Sequence, residues 1–156
     1  MHPDAQLIGA VRVHAHASIW PGAVLRADLG EIEVGAGSAV EDNCVVHPRG
    51  PDPTVIGADC VVGHAVHLEG VVIEDAVLVG SGSIVLEGAR IRTGGFVAAG
   101  ALVLAGVEVP AGRRAQGVPA TLVPHDASPD AVRAGARTYQ ELARRYATDL
   151  RRLDAS

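Results

Sequence analysis

At 156 residues, with 48% hydrophobic side chains and a formal charge of −5, the chain suits a single compact domain with an extended core. That balance argues against nucleic acid or an anionic membrane as a partner, and because all thirteen basic residues are arginine, every mechanism built on a catalytic lysine or Schiff base is excluded. The amino terminus, Met1-His2-Pro3-Asp4, lacks the regions of an export signal, and no apolar run reaches the ~20 residues needed to span a bilayer. We therefore expect a cytoplasmic protein acting on a small molecule, with no membrane partner.

In chain order, an aliphatic residue recurs every six positions: Val13, Ile19, Leu25; Val34, Val40, Val46; Ile56, Val62, Leu68; Ile73, Val79, Val85; Ile91, Val97, Val103; and Val109, with three resets. Four positions after half of these anchors stands one of a set of small residues (Ala17, Ala23, Ser38, Cys44, Cys60, Ser83, Ala89, Ala101), as a sharply turning backbone with little interior room requires. Cys44 and Cys60 are among them, so they read as packed thiols. Short-period repetition with β-branched anchors predicts a β-solenoid. Taken by threes, the anchors define three faces, and equivalent positions stack at about 4.7–4.9 Å.

Two resets predict loops. Leu29-Gly30-Glu31-Ile32-Glu33 lengthens the first corner, and Pro48-Arg49-Gly50-Pro51-Asp52-Pro53 protrudes directly after His47, since three prolines cannot continue a ladder. The repeat fades through Gly117-Val118-Pro119-Ala120. We place the solenoid over residues 1–123 and a linker with one helix over 124–156. Ser128-Pro129-Asp130 supplies a helix start, and Val132, Ala136, Tyr139, Leu142, Ala143, Tyr146, Leu150 and Leu153 keep helical spacing, predicting a helix near 129–153 laid against the solenoid. Arg144, Arg145, Arg151 and Arg152 suit the negative end of its dipole as a solvated face.

Comparing outward positions coil by coil brings polar groups together. Arg26, His47 and Glu69 follow the third-face anchors and should form one ladder. Asp42 should lie beneath His64 in a second ladder across the corner. Aligned imidazole and carboxylate groups at ladder spacing can bind a divalent transition metal, zinc by default, with iron or cobalt as alternatives; without metal the same groups make a hydrogen-bond network. His64 and Glu69 are up to about 16 Å apart along an extended path, too far to share one ion within a chain. A metal site thus implies a homotrimer in which the second face of one subunit meets the third face of the next.

A six-residue step with three anchors per coil resembles the hexapeptide-repeat proteins over about residues 7–123, which implies a left-handed parallel β-helix. The site residues resemble those of the γ-class carbonic anhydrases. Leu25-Arg26-Ala27-Asp28 is similar to that family's Arg-x-Asp motif, Val40-Glu41-Asp42 to its Gln-Asp step, and His47 and His64 fall on two of its three metal-binding histidines. The resemblance implies a zinc-dependent lyase hydrating carbon dioxide through a metal-bound hydroxide, with Arg26 and Asp28 as an interface ion pair and Asp42 orienting a ligand or water. Glu41 replaces the usual Gln. Glu69 replaces the third histidine, and His67, of the same strand parity, is the alternative third ligand. Tyr139 matches the active-site tyrosine drawn from the carboxy-terminal helix, or else packs that helix. A coenzyme A-dependent acyltransferase and a noncatalytic assembly subunit are the alternative functions on this scaffold.

Overall fold

A computed structural model describes residues 1–126 and 128–151. The chain coils as a parallel β-solenoid with one carboxy-terminal helix. Strands of the first and third faces form one sheet, joined through the long strand Val24–Val34, and strands of the second face form another. The register follows the anchors: Val79 pairs with Val62 and Val97, Val85 with Leu68 and Val103, and Ile91 with Ile73 and Val109. Every anchor is buried except Val13, which is 36% exposed. Val13 ends the opening strand Gln6–Val13, which pairs only with Val24–Val34 and lies on the rim of the solenoid.

The small residues four positions after the anchors are buried at the corners, apart from the partly buried Ala17. Where they carry a polar atom, it satisfies a corner carbonyl: Ser38 Oγ donates to Gly57 O at 2.7 Å, Cys44 Sγ to Gly63 O at 3.0 Å and Cys60 Sγ to Glu74 O at 3.0 Å. Both thiols are free and fully buried, and desolvation pushes that of Cys44 up to about 11.

The first expected loop is not one. Residues 29–33 lie inside the strand Val24–Val34, and the extra length is taken up by a bulge: Gly9 pairs with Ala27 but Ala10 with Glu31, leaving Asp28, Leu29 and Gly30 without partners on the opening strand. The bulge returns Ile32 to the interior, 1% exposed, while Leu29 is 78% exposed. The second expected loop does leave the solenoid, closed by reciprocal backbone bonds between Arg49 and Asp52 at 3.0 and 3.1 Å. At the far end the last coil is a reversal: Arg113–Gln116 pairs antiparallel with Thr121–Pro124 across the cis Val118–Pro119 bond.

The helix runs Pro129–Asp149, with the Ser128 hydroxyl accepting from Ala131 N–H at 3.4 Å, and ends at Leu150, whose extended backbone stops it short of the expected 153. Leu153 and Arg152 lie outside the described residues. No basic residue occupies its last turn among the described residues; Arg144 and Arg145 come earlier in the helix and are solvent-exposed, so neither sits at the negative end of its dipole. The helix lies on the second face, against Ser18–Ile19, Ala39–Val40 and Val61–Val62, with Ala136 buried and Gln140 Nε2 donating to Gly37 O at 3.1 Å. Among the described residues, no helix is long and apolar enough to cross a membrane.

Candidate metal centre

Two separate clusters of donor atoms face outward from the solenoid wall, one formed by His47, His67 and Glu69 and the other by the buried Glu41 with Asp42 and His64; within each, the ligand atoms lie within 4.8 Å of one another. That spread, and the mixture of imidazole nitrogen and carboxylate oxygen, fit a divalent transition ion.

The first cluster follows from register. Val46 and Leu68 point inward as partners, which sets His47 beside Glu69 and His67 beside Val45 on the outer surface. The His47 and His67 rings meet edge to face with centroids 5.1 Å apart, and His67 Nε2 lies 3.8 Å from Glu69 Oε2. His47 Nδ1 is 3.1 Å from Pro48 O; a carbonyl only accepts, so this contact puts the proton on Nδ1 and leaves Nε2 as the free donor. Thr54, fully buried, fastens the cluster's base: its hydroxyl donates to His47 O at 2.7 Å and accepts from Gly70 N–H at 2.9 Å.

Arg26 belongs to this ladder by register, since Leu25 pairs with Val46, but its guanidinium is bonded to Asp28. It donates to Asp28 Oδ2 at 2.7 Å within the same chain, with both groups about half exposed. The guanidinium that reaches Glu69 is instead that of Arg49, Nη1 to Oε1 at 2.9 Å. Arg49 went unnoticed because it lies in the proline-rich loop, where no period assigns a column.

In the second cluster, Asp42 lies beneath His64 as expected, with Asp42 Oδ2 3.0 Å from His64 Nδ1. A carboxylate there holds the Nδ1 proton and presents Nε2 outward. Glu41 follows Val40 in the column that also holds Trp20, under the helix. It is 1% exposed, its Oε1 has no partner among the described residues, and burial, reinforced by the Asp42 charge, pushes its carboxyl up to about 8. Tyr139 comes down from the helix edge-on to Trp20 at 5.8 Å, and desolvation together with the charges of Glu41 and Asp42 raises its hydroxyl. Trp20 was missed, although its place one residue after the anchor Ile19 matches that of Glu41 after Val40.

No family model matches the chain. It is 35% identical to a hexapeptide transferase family protein from Anaplasma phagocytophilum, whose crystal structure superposes with a TM-score of 0.86 over 93% of this chain and 90% of that one. A putative acetyltransferase from Bacillus cereus superposes with a TM-score of 0.73 at 26% identity, over 93% of this chain and 89% of the other. Gamma carbonic anhydrase 1, mitochondrial, from Arabidopsis thaliana is 37% identical over 87 residues, covering 52% of this chain and 32% of that protein, so the match spans less than half of that relative's length.

Proposed function

The chain belongs to the hexapeptide-repeat family, and from its likeness there to the γ-class carbonic anhydrases we propose that it is a metal-dependent lyase acting on carbon dioxide or a related small carbonyl. The convergence of His47, His67 and Glu69 donor atoms within 4.8 Å carries this reading. The ion would be zinc, iron or cobalt, held by His47, by Glu69 with His67 as its alternative, and by His64 of a neighbouring subunit. Within one chain His64 stands in the other cluster, so the proposed assembly is a homotrimer that closes three equivalent sites.

When bound, the ion would supply Lewis acidity and make a water nucleophilic near neutral pH. The remaining work falls to the chain's own groups. Pro48 O and Asp42 fix the tautomers of His47 and His64, so that each offers Nε2. Trp20, Tyr139 and the helix keep water from Glu41, whose buried carboxyl carries its proton through neutral pH and can donate as an amide would. The Arg26–Asp28 pair lies beside the ladder, where the bulge begins.

An acyl-coenzyme A-dependent acyltransferase is the second reading, favoured by the likeness to the Bacillus structure and by the Asp42-held imidazole of His64, an arrangement suited to a general base. Metal analysis of protein purified without chelator, followed by carbon dioxide hydration and acyl-coenzyme A assays on the same sample, separates the two. Stoichiometric zinc, iron or cobalt with hydration supports the lyase. Metal-free protein that transfers an acyl group sinks it. Sedimentation should give a trimer, and a monomer with metal bound would defeat the shared-site argument.

A further inference from the structure

We propose that Arg49 is a positioning residue that makes Glu69 a one-oxygen ligand, occupying its Oε1 so that only Oε2 faces the imidazoles of His47 and His67. This inference rests on the metal reading above. A free glutamate can chelate an ion with both oxygens, which raises the coordination number and takes up an open position. Here the two oxygens are not equivalent: Arg49 Nη1 donates to Oε1 at 2.9 Å, while Oε2 lies 3.8 Å from His67 Nε2.

The guanidinium is held where it can do this. Its loop is closed by the Arg49–Asp52 backbone bonds and tied at the base by Thr54, at the loop's far end, whose hydroxyl bonds His47 O at the near end and Gly70 N next to Glu69. The loop also crosses directly over Gly70, which has φ +57; a Cβ added there would stand 2.7 Å from Arg49 Cβ. Glycine at residue 70 therefore admits the arginine stem to the carboxylate. With its guanidinium in solvent, at 61% exposure, the pair adds little to stability; what it fixes is which oxygen is available.

The charge argues the same way. Three neutral imidazoles leave a divalent ion with its full charge, whereas a carboxylate in place of one of them removes a unit. The Arg49 guanidinium supplies that unit of positive charge again beside the ligand. Arg49 and Glu69 together thus present a mixed nitrogen and oxygen site with the net charge of a three-imidazole one.

The test is the visible spectrum of the full-length protein loaded with Co2+, whose d–d absorption falls as coordination rises above four. Arg49→Ala should bind Co2+ but absorb at about half the wild-type intensity or less, because Oε1 becomes free to coordinate. In the Glu69→His background, where no second oxygen exists, Arg49→Ala should change nothing. A wild-type spectrum for Arg49→Ala, or the same loss of intensity in the Glu69→His background, would overturn the proposal while leaving the metal site standing. Failure of the wild type to take up Co2+ would overturn both.

Discussion

His64 Nδ1 stands 3.0 Å from Asp42 Oδ2, one coil beneath it, and the contact decides which imidazole nitrogen is offered outward. Removing the carboxylate frees the ring to turn and to change tautomer. Asp42→Ala should therefore weaken zinc binding by about 10–100-fold in a competition titration while leaving the fold intact. Unchanged affinity would mean that His64 is not a ligand.

Glu69→His should complete a three-histidine set, retain metal and raise hydration activity near neutral pH, since a neutral ligand leaves the bound ion a stronger acid. His67, which does not match the family motif, lies against His47 with its Nε2 near Glu69, so His67→Ala should also lower metal affinity, by at least about tenfold. If only Glu69→Ala lowers it, the His67 ring is packing alone.

Val79 lies midway along the aliphatic column with no exposure. Val79→Asp buries a carboxylate with no partner at a cost of several kcal/mol, and circular dichroism should find the variant unfolded. A melting temperature near that of the wild type would reverse the inward assignment.

Burial raises the Glu41 carboxyl from 4.5 to about 8. A raised carboxyl pKa means that the folded state keeps a proton the unfolded state has lost, so its contribution to stability falls as pH climbs from about 4.5 to about 8. Glu41→Gln removes the titrating group and should leave the protein roughly 2–4 kcal/mol more stable than wild type at pH 9, with little difference at pH 4. Parallel pH profiles in denaturant melts would show that Glu41 ionises normally.

The inward columns were legible because burial in a narrow solenoid is strictly periodic: counting by six from Ile19 to Val109 finds a buried residue each time once the resets are made. The same counting put His47 beside Glu69 and Asp42 beneath His64. What escaped it is aperiodic. The bulge at Asp28–Gly30 hides in a stretch that reads as a loop because pairing with Gln6–Val13 is a property of two strands together. Arg49 reaches Glu69 from a loop. Glu41 looks like any outward residue until a helix nearly a hundred positions later covers it with Tyr139.

The reversal of Thr121–Pro124 against Arg113–Gln116 sets where such a molecule can be lengthened. A strand running backwards presents the wrong polarity to a following coil, so that rim cannot template another parallel rung. Growth by a whole coil, the eighteen-residue interval that relates Val79 to Val97, must come from within the stack. Each coil touches only its neighbours, so duplicating the coil between Val85 and Val103 would carry the hairpin outward and leave the lower coils bearing both histidine clusters as they are. In this architecture, length and chemistry can vary independently.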